Sequence, residues 1–285
     1  MLALTPPLRR WCFAWLFFVL TTWARAAAPA DGAPPSDEVG AAWQLMADHL
    51  GRDAYVRLDR VRGVPTREQR LAQAVVVVDY QPVTPERLHA AAAIFADLAR
   101  GEDEIAAQAA YLQARLYQVH YSQPDYGRAA ELYRALAARQ PDSHWAQLGL
   151  VKLGLLQLYV LPEPAGPAAR LAAVAALLPR IKEEKLQRDV HLQLGQAGTF
   201  YGLPLDAVLA HLIEVNRIGG LVGQIEEDLA IQLGELSLRA GHYAAARTYF
   251  ETYLRDFTPN LRSVTVRRRL AEMAAQEAKA REGRP

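Results

Sequence analysis

The chain has 285 residues, 51% of them hydrophobic, and carries 32 basic against 31 acidic side chains with one cysteine. So even a balance excludes the usual electrostatic route to nucleic acid or an anionic membrane, which draws its affinity from clustered positive charge. A lone cysteine excludes an intrachain disulfide framework, so stability has to come from buried apolar area.

In chain order, Arg9-Arg10 precede an apolar run from Trp11 to Leu20, and Ala24-Arg25-Ala26 supplies the small residues a signal peptidase reads. The run is shorter than the roughly 20 apolar residues a membrane span needs, so residues 1–26 are read as a cleaved export signal. The periplasm is the expected destination, with secretion as the alternative. Cleavage removes Cys12 and three arginines, leaving 29 basic against 31 acidic residues and no thiol. No membrane span is expected in the mature chain.

Residues 27–35, rich in Ala and Pro, read as a flexible lead. Within 36–65, Ser36-Asp37-Glu38 can cap a first helix whose Trp43, Met46 and Leu50 share a face. Residues 51–65, polar and Gly-containing, predict an irregular connection. The run Val75 to Val78 favours a strand in isolation, because β-branched side chains lose rotamer freedom in helices. It is nevertheless read as helix: Thr84-Pro85-Glu86 is a helix start, and a helix before it completes a pair.

Downstream, a Leu-Gly pair recurs at Leu148-Gly149, Leu194-Gly195 and Leu233-Gly234. Gly inside a helix costs about 1 kcal/mol relative to Ala, so its recurrence points to crossings too close for a side chain. The last unit continues with Gly241, Tyr243, Ala246, Phe250, Leu254 and Pro259. An earlier one reads Asp125-Tyr126, Ala129, Tyr133 and Pro141, followed by Trp145 three residues before Leu148. The middle unit has Gly202, Ala207 and, at the aromatic position, His211, while Ala91, Phe95 and Leu98 repeat only the second-helix spacing.

This order of residues resembles the tetratricopeptide repeat, and the resemblance extends over residues 66–260. It implies an all-α fold, a right-handed α-solenoid of stacked antiparallel helix pairs, with 261–285 as a C-terminal capping helix and tail. Trp145, Leu148, Gly149, Leu194, Gly195, Leu233, Gly234, Tyr243, Ala246 and Phe250 would be the repeat-defining residues. The Leu-Gly pairs are 46 and 39 residues apart, against about 34 in the family, and the proline-rich stretch Leu161 to Pro167 accounts for extra length. An irregular helical bundle carrying the same pairs is the alternative.

In that family the first helix of each pair lines a concave groove. The resemblance implies partner-binding positions at Gln193, Gln196, Thr199 and Phe200 in one unit and at Gln232, Glu235 and Arg239 in the next. Polar or mixed in character, they suit a protein segment held by amide hydrogen bonds and aromatic contact. The lysines and asparagines with which chaperone-binding members clamp a terminal carboxylate are missing from them. The expected function is a non-catalytic exported scaffold for protein partners in cell-envelope assembly or coordination. The alternative is the helical binding domain of a cell-wall or polysaccharide-processing system. Paired exposed aromatics would favour sugar, and in the sequence Phe200 stands almost alone.

No catalytic residue, cofactor or metal is assigned. The seven histidines share no spacing, and His191 and His211, though on helices of one pair, lack a third ligand. Arg267-Arg268-Arg269 is diluted by Glu272 and Glu277 and reads as a solvated helix face. Trp145 to Val160 is apolar almost all round, which suits either a helix sandwiched by neighbours or one exposing a face to a second copy.

Overall fold

The computed structural model describes residues 37–282, and every regular element among them is helical. Residues 1–36, where an export signal and a flexible lead are expected, lie outside the described residues. The chain divides into two compact units, one up to Leu98 and one from Ala99 onward.

The first unit holds α1 (Asp37–Ala47), α2 (Gly51–Arg60), α3 (Arg67–Asp79) and α4 (Pro85–Leu98). Val39, Ala42, Ala54, Leu58, Ala72 and Val76 form its core. The valine run lies in α3, as expected. Thr66 starts that helix by accepting from the Gln69 amide at 3.1 Å, and burial of Val75 and Val76 against neighbouring helices overrides their β preference. Thr84 caps α4 in the same way, through the Arg87 amide.

The irregular connection expected over residues 51–65 is corrected: Gly51–Arg60 is α2. Gly51, Ala54 and Leu58 fall on one buried face, and the intervening charged residues face water. Gly51 does not break the chain here. A Cβ on it would lie 2.8 Å from Asp79 Oδ2, so the glycine lets the start of α2 meet the end of α3.

The second unit runs α5 (Glu104–Arg115), α6 (Tyr126–Arg139), α7 (His144–Tyr159), α8 (Pro167–Ala175), α9 (Glu184–Phe200), α10 (Leu205–Ile218), α11 (Gln224–Arg239), α12 (Tyr243–Asp256) and α13 (Arg262–Glu282). A π-helical turn, Leu116–His120, ends α5. Consecutive helices pack together, and α5, α7 and α9 also touch in order. Across α7 and α9, Gln147 accepts from the amides of Lys182 and Glu183, while farther along Gln193 donates to the Val151 carbonyl and Tyr201 to that of Leu158. Partners advance together along both helices, so α7 and α9 run parallel.

Gly149, Gly195 and Gly234 are all buried at helix crossings. A Cβ on Gly195 would meet Leu212 Cγ at 2.8 Å, and one on Gly234 would enter the Phe250 ring. These two glycines close onto the helix that follows their own. Gly149 departs from the matching layout expected of it, because its Cβ would face Tyr133 Cδ1 at 3.1 Å on the preceding helix α6. The cause is α8, nine residues long and started by Gly166-Pro167; it meets α7 a turn later, where Val174 and Leu177 pack over Gly154. Ala246 and Phe250 are fully buried, whereas Tyr243 is 54% exposed and contributes little to the core.

Helix α7, apolar all round in sequence, is covered by the protein's own helices α5, α6, α8 and α9. Of its large apolar residues only Tyr159, at the very end, is more than a third exposed. The sandwiched position fits the segment's apolar character, and along one side Trp145, Leu148 and Leu155 are only half-buried, leading to exposed Tyr159.

Candidate functional site

On α9, Asp189, Gln193, Gln196 and Phe200 are spaced by four, three and four residues and so share a stripe. Gln196 and Phe200 are exposed, as their assignment to a binding face requires. Gln193 is not available. It is buried, its amide donates to the Val151 carbonyl at 3.2 Å, and its Oε1 has no partner, so it belongs to the α7–α9 contact. Thr199 is exposed, but its hydroxyl is turned back to the Gly195 carbonyl at 3.0 Å.

On α11, Gln232 and Glu235 are half-buried and line a cleft of about 340 Å³ whose other wall is Arg262, Thr265 and Val266 of α13. Arg269 Nε donates to Glu235 at 2.8 Å and Arg262 pairs with Asp228, so α13 itself occupies much of this stretch of the face. Arg239 is exposed at the end of α11. Of the seven proposed residues, Gln196, Phe200 and Arg239 are open, Gln193 and Thr199 are turned onto backbone carbonyls, and Gln232 and Glu235 line the cleft beneath α13.

Phe200 does not stand alone. Its ring meets Tyr159 edge-on at 5.9 Å and Tyr201 at 5.0 Å, and Tyr159 and Tyr201 stack at 6.3 Å. The Tyr201 hydroxyl donates to the Leu158 carbonyl, which pins this cluster to the end of α7. Burial, with Tyr201 alongside, pushes the Tyr159 phenol up to about 12, so it stays neutral.

Deeper along the same helices is a group the sequence reading missed. Lys152 is the one charged residue inside apolar α7, and that isolation was the available signal. Burial pulls its ammonium down to about 8, helped by Arg115 on α5 and opposed by Asp189 on α9. Arg115 is oriented through Gln118: Gln118 Oε1 accepts from the Arg115 guanidinium at 2.8 Å and from the Tyr133 hydroxyl at 2.7 Å. Tyr133, buried against Tyr111, is held well above the usual phenol range by burial, and so remains a donor.

His191 and His211 do meet, Nδ1 to Nδ1 at 3.0 Å across α9 and α10. One ring must donate and the other accept. Burial lowers both, and the neighbouring imidazole lowers His211 further. Among the described residues no group of three metal-ligating side chains forms, and no helix is long and apolar enough to cross a membrane.

Comparison of the chain with protein families, with curated proteins and with solved structures finds no match.

Proposed function

We propose that this chain is a non-catalytic interaction scaffold, a right-handed tetratricopeptide-like solenoid that is exported to the periplasm and holds protein segments on the face formed by α7, α9 and α11. The observation that carries the reading is register. Asp228 with Arg262 and Glu235 with Arg269 are each 34 residues apart, so α13 lies on α11 at the spacing of one repeat. Parallel α7 and α9, and glycines buried where α9 meets α10 and α11 meets α12, add to it. The test is capture from envelope extract by the chain from Ala27 onward, beside a triple variant Gln196→Ala, Phe200→Ala and Arg239→Ala. A partner held equally by both proteins would remove this face from the proposal.

The second reading, a glycan-binding domain, is favoured by the cluster of Tyr159, Phe200 and Tyr201, because aromatic rings with exposed edges and faces suit sugar rings. Affinity electrophoresis in cell-wall polysaccharide, with Phe200→Ala as control, separates the two. Retardation of the unaltered protein alone supports the glycan.

A further inference from the structure

Helices α9 and α10 cross at Gly195, where an added Cβ would lie 2.8 Å from Leu212 Cγ and 3.8 Å from His211 Cβ. One turn before that glycine on α9 stands His191, and its imidazole meets that of His211 with the two Nδ1 atoms 3.0 Å apart. Both residues are half-buried, so the pair is held by the crossing yet reachable from solvent.

Between two neutral rings this contact is a hydrogen bond, with one Nδ1 donating and the other accepting. The same spacing also suits a shared metal ion. An imidazole nitrogen sits about 2.0–2.1 Å from a divalent first-row metal, so two nitrogens 3.0 Å apart subtend about 94° at a common ion. Tetrahedral coordination would hold them about 3.4 Å apart, whereas square-planar or tetragonal coordination sets neighbouring ligands at right angles. Nitrogen ligands in that geometry suit Cu(II) or Ni(II). Burial lowers both imidazoles, which keeps them neutral and able to ligate at pH 7. Glu214, three residues beyond His211 on α10 and held by Arg217 at 2.7 Å, is the acid that acts on His191 and sets negative charge near the pair, with Arg217 opposing it.

We propose that His191 and His211, facing each other across α9 and α10 with their Nδ1 atoms at right-angle spacing, bind one Cu(II)-type divalent ion reversibly. The imidazoles fill two adjacent positions and water fills others. Each ring then carries its proton on Nε2, so the ring that donates in the free pair moves its proton from Nδ1 to Nε2 and none is lost. Two protein ligands do not make the closed four-ligand site of a structural zinc; they make an exchangeable one. The site is independent of the scaffold reading, since α10 takes no part in the face formed by α7, α9 and α11.

The test is titration of the chelator-stripped full chain with Cu(II), read by electron paramagnetic resonance and calorimetry. His191→Gln, His211→Gln and the double variant are titrated beside it, and the double variant reports what Cys12 and the other five of the seven histidines bind. The parent is expected to take up one equivalent more than the double variant, with coupling to two imidazole nitrogens. Each single substitution should weaken that equivalent at least about tenfold, and Zn(II) should bind the pair at least about tenfold more weakly than Cu(II). Urea midpoints establish that the variants fold. The parent's own spectrum needs no variant, so coupling to a single nitrogen overturns the proposal even where a substitution unfolds the chain. Equal uptake by parent and double variant overturns it too, as does a single variant that keeps full affinity, and Zn(II) held as tightly as Cu(II) overturns the tetragonal assignment.

Discussion

Replacing Lys152 with Met should stabilise the protein at neutral pH, although it removes a partly buried long side chain. The folded state holds the ammonium near 8 and the unfolded chain near 10.5, a gap of roughly 2.5 units. At about 1.36 kcal/mol per unit the charged form costs the fold about 3 kcal/mol, and water reaching the half-buried side chain reduces that to about 2 kcal/mol. The sign follows from proton counting. Below about 8 Lys152 is charged in both states and the full penalty acts; between about 8 and 10.5 the unfolded chain binds more protons, so stability rises with pH. Above that window the penalty is gone. Met fills a similar volume without charge, so Lys152→Met should unfold about 1–2 kcal/mol later in urea at pH 7, with a melting midpoint roughly 3–8 °C higher. The gap should then close as pH approaches 10.5. Tyrosines titrate in this range in both proteins, so the difference between the two curves is the measurement. A variant less stable than the parent at pH 7, or a gap that stays constant with pH, would show that Lys152 is compensated in the fold and refute the reasoning.

Three further outcomes are expected. Gly234→Ala should destabilise by about 1–3 kcal/mol in chemical denaturation, since its Cβ enters the Phe250 ring, whereas Gly149→Ala, 3.1 Å from Tyr133, should cost less because helix propensity offsets part of the crowding; equal costs would contradict the crossing geometry. His191 and His211 are both lowered by burial, so the unfolded chain takes up their protons first and stability should fall as pH drops below the ordinary imidazole value of 6.5. Thermal melts of the parent and His211→Leu from pH 7.5 to 5 test this, with a shallower fall expected in the variant. Thr66→Ala should cost about 1 kcal/mol by loss of the cap on α3, read from urea midpoints, and an unchanged midpoint would remove the cap from the account.

The helical character of nearly every segment was legible in the linear pattern, even where local preference argued otherwise. Val75 to Val78 could be assigned because the Thr84-Pro85 start left a preceding segment in need of a partner, and burial then decided the matter. Helix α2 was missed because Gly51 and a charged, weakly apolar composition look like a loop; what makes it a helix is the face of Ala54 and Leu58 against α3, which is a tertiary fact. Gly195 and Gly234 could be placed at crossings from their recurrence, but the sense in which Gly149 faces depended on a short α8 that no motif encodes.

Of the binding face, the periodicity of α9 located Gln196 and Phe200, because side chains on a helix return to the same side every three to four residues. It could not show that Gln193 points into α7, that α13 closes over Gln232 and Glu235, or that Tyr159 and Tyr201 gather round Phe200. Arg115, Lys152 and Asp189 are 37 residues apart in turn and share no motif. Sequence alone determined which segments coil and which of their sides are apolar, since those depend on residue type and spacing. Only the tertiary structure decided which side chains meet across helices and which charges stay unmatched, since a charge is compensated by what surrounds it in space and not by its neighbours along the chain.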